Sequence, residues 1–311
     1  MTAAVSHLDR LVSSLVREGY ALYPYTPGAA KNSTPTPFGI LYPLAYAARE
    51  PTTFDHLQVE CLLHAPSVAE LFATARFLQA SGPRHQAVER RVDLPPVWLA
   101  ALTDRPAAID FAFDDGASDH GEASAGGEGI AGRLQLDAEF LEPGTWRVRL
   151  QVENTTALDA DAARDLDRAA ALRLSLLSTH ALLRVSEGRF VSPLERTGPL
   201  GEAVAACRNV NTWPVLATPE DDAVLGAAIF LPDHPQVAPE SRLDLFDSTE
   251  IEEALLLHVH ALSDGEREAI GEQDPAVREM IERALSTTPQ DILALHGRLR
   301  IAEAPEGDSD D

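Results

Sequence analysis

Residues 231–241, Leu-Pro-Asp-His-Pro-Gln-Val-Ala-Pro-Glu-Ser, gather several side chains able to do chemistry in a stretch that three prolines stiffen. Asp233, His234 and Glu240 lie within it, and Asp244, Asp247 and Glu250 follow closely. An imidazole among carboxylates can ligate a divalent metal or move protons. His234, Glu240 and Asp244 are therefore the metal-ligand candidates. His180, in Ser178-Thr179-His180, joins His234 and Glu240 as the catalytic candidates for a metal-dependent hydrolase. A plainer account of the same residues is a rigid loop whose acids cap the following helix, with Asp247 and Ser248 in cap position. For His180 the plainer account is a partly buried imidazole satisfied by hydrogen bonds. His258 and His260 are two apart on an expected helix and face different sides, so they do not form a helical ligand pair.

Lys31 is the only lysine beside 24 arginines. Its compact amine, next to Asn32 and between Tyr25 and Phe38, could meet an anion or a carboxylate of a partner. Codon usage explains a lone lysine equally well. Residues 20–43 carry Tyr20, Tyr23, Tyr25, Phe38 and Tyr42 among five prolines. Prolines hold the chain extended, and aromatic rings at this density favour burial or contact. The segment reads as an ordered loop. Tyr20, Tyr23, Tyr25, Lys31, Asn32 and Phe38 are its partner-binding candidates.

The commonest reactive motifs are absent. There is no GxxxxGK[ST] loop, no GxGxxG after a strand, no GxSxG, no HExxH and no EF-hand loop. Cys61 and Cys207 have no CxxC partner, so no cysteine zinc site is expected, and each reads as a structural thiol. The sequence assigns no cofactor. Forty-nine acidic residues against 25 basic ones give a net charge of −24. Such a field repels phosphate backbones and anionic lipid, which disfavours nucleic acid as a partner. A GC-rich coding sequence and a salt-adapted cytoplasm are both consistent with this bias. No run approaches 18 apolar residues, and charges interrupt the first 20 positions, so neither membrane insertion nor a signal peptide is expected. The expectation is a soluble cytoplasmic protein.

Several elements must position these residues. Val5, Leu8, Leu11, Val12, Leu15 and Val16 have helical spacing, with Gly19 as a stop. Residues 54–64, 88–94 and 109–113 read as strands, and 68–78 as a helix with Val68, Leu71, Phe72, Ala75 and Leu78 on one face. Residues 114–129 are a Gly-, Ser- and acid-rich loop. Period-two alternation over 133–140 and 146–153, joined by Glu142-Pro143-Gly144-Thr145, gives a hairpin with one buried and one wet face. Residues 169–177 read as a helix. A second hairpin is expected from 181–185 and 189–191, and a third from 213–217 and 223–231. The remainder is helical, with cap signals at Asp274-Pro275 and Thr288-Pro289.

The pattern predicts an α+β fold, mainly an antiparallel sheet or sandwich with an N-terminal helix and a C-terminal helical unit. Residues 1–245 form the α+β domain, 246–300 a helical unit packed on it, and 301–311 an acidic disordered tail.

A set of short stretches carries a family resemblance. They are 17–25 (REGYALYPY), Lys31-Asn32, Phe38-Gly39, Tyr42-Pro43, Glu60-Cys61-Leu62, Ser178-Thr179-His180, Asn211-Thr212-Trp213-Pro214, 234–241 (HPQVAPES) and 245–251 (LFDSTEI). In this set and order, over residues 8–300, the chain resembles a family of proteins encoded beside high-affinity nickel–iron hydrogenases of the actinobacterial type. No catalytic pattern is among these motifs. The resemblance implies a non-catalytic accessory or assembly protein that binds a protein partner, a hydrogenase subunit or its precursor. One departure stands out: Ser33-Thr34-Pro35-Thr36-Pro37 replaces the basic, aromatic stretch that the family has before Phe-Gly.

Overall fold

The computed structural model describes residues 2–17, 38–81, 86–114, 129–195, 197–237, 275–288 and a few positions between 256 and 291. Helix α1 (Thr2–Arg17) and the short α2 (Leu44–Ala47) precede strands β1 (His56–His64), β2 (Glu70–Ser81) and β3 (Gln86–Trp98). A 3-10 turn at Leu99–Thr103 leads to β4 (Ala107–Phe113), β5 (Ile130–Glu142) and β6 (Thr145–Asn154). Helices α3 (Ala160–Asp165) and α4 (Arg168–Arg173) follow, then β7 (Leu177–Val185), β8 (Arg189–Phe190), α5 (Gly201–Ala205), β9 (Trp213–Leu216) and β10 (Ala223–Ala227). Within the expected helical unit, α6 (Pro275–Leu285) is described; the expected tail, 301–311, lies outside the described residues.

The strands form two five-stranded sheets, ordered β4-β5-β6-β1-β8 and β3-β2-β7-β10-β9, with every described strand pairing antiparallel. This is the expected α+β fold with mainly antiparallel sheets. A single apolar core, including Leu57, Leu71, Phe77, Leu134, Leu150 and Leu183, lies between the sheets. The first sheet turns much of its other face to water, where Arg133 meets Asp110 and Arg147 meets Glu139, while residues 208–210 cover Glu60. That wet face is the source of the alternation seen in β5 and β6. The second sheet is largely buried on both faces, with charges exposed on its edge strand β3, where Arg91 meets Asp93. Its outer side carries a second core that Leu8, Leu11, Val12, Leu15 and Val16 of α1 complete. Burying each such side chain contributes about 1.5–3 kcal/mol.

This double burial overturns one expectation. Residues 68–78 are not a helix but the start of β2, which is buried almost continuously on both faces. Leu71, Ala73, Ala75 and Phe77 face the first sheet, while Leu78 joins the outer core. A strand with two apolar faces loses its period-two signal, and its side chains then fit helical spacing by chance. A second expectation also fails. Residues 181–185 and 189–191 do not pair as a hairpin: β7 belongs to the second sheet, whereas β8 pairs with β1 in the first, so the intervening turn crosses between sheets. The expected helix over 169–177 ends at Arg173, and Leu177 already begins β7. Phe140, placed by alternation on the buried face, is 51% exposed, beyond an irregularity in the β5–β6 register. The hairpin of β9 and β10 forms as expected, with β10 ending at Ala227.

Among the described residues no helix is long and apolar enough to cross a membrane. Where the sheets and outer helices meet, the buried Asn154 acts as a three-way bolt. Its Nδ2 donates to the Leu41 and Leu174 carbonyls at 2.8 and 2.9 Å, and its Oδ1 accepts from the Thr156 amide at 2.9 Å. Asn154→Ala leaves two buried carbonyls without this donor and is expected to cost about 2–4 kcal/mol. Urea titration should show a lower midpoint at unchanged slope.

Candidate functional site

Strands β1, β7 and β10 and the segment entering at Phe38 bring distant parts of the chain together at one end of the sandwich. Gly39 holds φ +56°, and a Cβ there would lie 2.7 Å from the Ala228 Cβ and 3.1 Å from the Thr179 carbonyl. Only glycine combines that conformation with that approach. The Thr179 amide donates to the Gly39 carbonyl at 3.0 Å, and Leu41 and Leu176 exchange backbone bonds at 2.9 and 3.0 Å. Asn211, at φ +54°, donates from Nδ2 to the Ile40 carbonyl at 3.2 Å. The Thr212 hydroxyl donates to the Ala227 carbonyl at 3.0 Å.

Residues 208–210 continue this knot onto β1. Gln58 and Val210 exchange backbone bonds at 3.0 Å. The Glu60 amide donates to the Asn209 Oδ1 at 2.8 Å. The Glu60 carboxylate is buried and accepts from the Arg208 amide and the Arg149 Nε, both at 2.7 Å. Segments 38–41, 58–60, 178–179 and 208–212 thus meet, and each contains or adjoins a stretch that carried the family resemblance.

Three aromatic rings stand out from this knot: Phe38 is 52% exposed, Trp213 49% and Phe230 71%. Phe38 adjoins Gly39, Trp213 pairs with Ala227, and Phe230 lies two residues past Ala228. Each is therefore within roughly 7 Å of chain from a knot contact, at about 3.4 Å per extended residue. Exposed rings on a rigid base offer large contact area at little entropic cost, and aromatic residues are enriched in protein interfaces.

The structure does not bring His180 and His234 together. His180 is 2% exposed in β7, opposite Arg76 of β2, rather than at a helix–strand junction. Its Nδ1–H donates to the Ser178 carbonyl at 2.9 Å, and its Nε2 has no partner among the described residues. Arg76 anchors α1 here, donating to the Asp9 carbonyl at 3.1 Å and the Ser13 hydroxyl at 2.6 Å while pairing with Glu89. His234 lies beyond β9, its amide bonded to the Leu216 carbonyl at 2.7 Å and its Nε2 2.8 Å from the Asp221 Oδ1. β10, β9 and the 232–234 stretch separate it from β7 by three strand spacings, roughly 14 Å. Asp233 is held by the Leu216 amide, at 2.8 Å, and by Ser192. The hydrolase arrangement required His180 and His234 in one place, and they are apart. Glu240 and Asp244 lie outside the described residues, as do Tyr20, Tyr23, Tyr25, Lys31 and Asn32. Among the partner-binding candidates, Phe38 is described and is exposed.

Among the described residues no group of three or more His, Cys, Asp or Glu side chains is placed to hold a metal. Burial pushes the thiols of Cys61 and Cys207 up, so neither is poised as a nucleophile. Trp213 and Phe230 were missed in the sequence because both adjoin apolar runs that read as core. Only the Asn-Thr-Trp-Pro motif pointed to Trp213. A scan against models of protein families finds no match, and a search of curated proteins finds no significant relative.

Burial, with the neighbouring Arg76 adding to it, lowers the pKa of His180 from 6.5 to about 4, against the opposing pull of the Ser178 carbonyl. Above pH 6.5 the imidazole is neutral in both folded and unfolded chains and contributes nothing to pH dependence. As pH falls from 6.5 toward 4, the unfolded chain takes up a proton that the folded one refuses, so stability falls. The loss by pH 4 is about 3 kcal/mol. His180→Gln should remove that component, so urea midpoints of wild type and variant, compared at pH 7 and pH 4, should converge or cross. A pH-independent difference contradicts this.

Proposed function

We propose that this chain is a non-catalytic accessory or assembly protein that grips a protein partner through Phe38, Trp213 and Phe230. The observation that supports the reading is their position. Three exposed rings lie within a residue or two of the contacts by which four sequence-distant segments lock together, three of those segments holding a residue at positive backbone φ. A contact surface on so rigid a base loses little conformational entropy on binding.

The family resemblance supplies the partner: a nickel–iron hydrogenase subunit or its precursor, met in the cytoplasm in support of maturation or assembly. With a chain charge of −24, the matching surface on that partner should be neutral or basic around an apolar centre.

The test uses the full chain and the purified large and small hydrogenase subunits of the native host, the large one both as precursor and as mature protein. Calorimetric titration should give saturable binding to one of them. A Trp213→Ala/Phe230→Ala double variant should bind about 30-fold or more weakly, equivalent to about 2 kcal/mol. Its melting temperature should be little changed, since both rings are exposed. Absence of binding to every form, or binding indifferent to the two substitutions, contradicts the proposal.

A further inference from the structure

The opposite end of the sandwich holds a cleft of about 590 Å³, within the ~300–1,000 Å³ range of small-molecule sites. Its floor includes the apolar Val204 and Leu216. Its polar lining includes Glu142, His64, Arg189, Ser192, Glu195 and Asp221. The strand register explains how four polar groups come to stand in a row. Glu142 of β5 is opposite Thr145 of β6, Thr145 is opposite His64 of β1, and His64 is opposite Arg189 of β8. Directly cross-strand residues share one face, so Arg189 and His64 stand side by side.

The surrounding chain fixes this arrangement. Gly188 holds φ +123°, and a Cβ there would approach the His64 carbonyl to 2.4 Å. The turn into Arg189 is thereby pressed against β1. The His64 Nδ1 is 3.2 Å from the Thr145 hydroxyl, which orients the ring. On the other wall, Asp221 is held side chain to side chain by His234, behind the cleft, at 2.8 Å. The Asp233 carboxylate ties this wall down through the Leu216 amide and the Ser192 hydroxyl.

The charges give the ligand class. Arg189 forms no ion pair among the described residues, although three carboxylates line the same cleft. Its guanidinium, with the His64 ring beside it, can receive one carboxylate in bidentate fashion. A phosphate dianion would face Glu142, Glu195 and Asp221 with its full charge and is disfavoured; those same groups favour a cation. We propose that the cleft binds a basic amino acid, free or as the C-terminal residue of a peptide, with its carboxylate on Arg189 and His64 and its cationic group toward the Glu142, Glu195 and Asp221 carboxylates. This site is independent of the aromatic face at the other end, and either can fail without the other.

The experiment is calorimetric titration of the full chain with five probes: L-arginine, agmatine (arginine without its carboxylate), L-glutamate, and a short peptide ending in arginine with its terminus either free or amidated. Saturable binding of L-arginine or of the free-ended peptide is expected. Agmatine, glutamate and the amidated peptide should bind at least tenfold more weakly. Binding of the peptide alone assigns the site to chain termini, and binding of L-arginine assigns it to the free amino acid. Arg189→Ala should lose tenfold or more, with partial recovery in Arg189→Lys, and Glu195→Gln should narrow the preference for arginine over glutamate. Arg189 and Glu195 are exposed, so circular dichroism melts should be unchanged in these variants. The proposal is overturned if neither arginine nor the free-ended peptide binds, if agmatine binds as well as arginine, or if Arg189→Ala binds as wild type does.

Discussion

The central strands of the second sheet are buried on both sides, and much of the molecule answers to that constraint. One face meets the first sheet across the main core, and the other needs a lid, which α1 supplies with five buried apolar residues. The most buried of the cations that fasten the lid is Arg76; Arg17–Glu89 and Arg91–Asp9 pair across the same seam at its exposed rim. Arg76 rises from β2 to the Asp9 carbonyl and the Ser13 hydroxyl while Glu89 on β3 neutralises it. A buried ion pair of this kind contributes little net stability, but removing one partner strands a charge at about 3–5 kcal/mol. It fixes where α1 sits more than how firmly it holds. His180 is caught in the same layer, kept neutral by burial and by the adjacent guanidinium.

The two ends of the sandwich carry different surfaces because their connections differ. At one end the chain crosses itself through segments 38–41, 176–179 and 208–212, satisfying backbone groups by mutual hydrogen bonds. That leaves aromatic side chains facing outward. At the other end, tight turns at Gly144 and Gly188 close the strands, and longer connections around 191–200 and 217–222 leave a polar hollow. One end presents exposed aromatic side chains and the other a polar hollow.

How far these features were legible depended on what each residue faces. The β5–β6 hairpin was legible because one face is wet, so Leu134, Leu136, Val148 and Leu150 alternate with charges. β2 was not, because Ala73, Ala75 and Leu78 are buried whichever way they point. β8 is two residues long and is defined only by its partner Leu63-His64, information that no local window holds. Among functional residues, Phe38 was found through the aromatic, proline-rich segment it ends. Trp213 and Phe230 were hidden by apolar neighbours, and whether such a ring faces core or water is decided by tertiary packing. His180 and His234 were grouped as one set of candidates; burial in β7 separates the first from the second, which lies beyond β9. The row Glu142-Thr145-His64-Arg189 is spread over 125 positions between His64 and Arg189, and it exists only once the register is known.

The central claim is that partner contact belongs to the knotted end and its three rings. Amide hydrogen exchange of the full chain, alone and with the hydrogenase subunit proposed as its partner, tests this most directly. The account predicts added protection at residues 38–42, 211–214 and 226–230, with exchange at 64, 189–195 and 216–221 unaltered. Protection confined to the cleft end, with the knotted end exchanging as in the free protein, would contradict it.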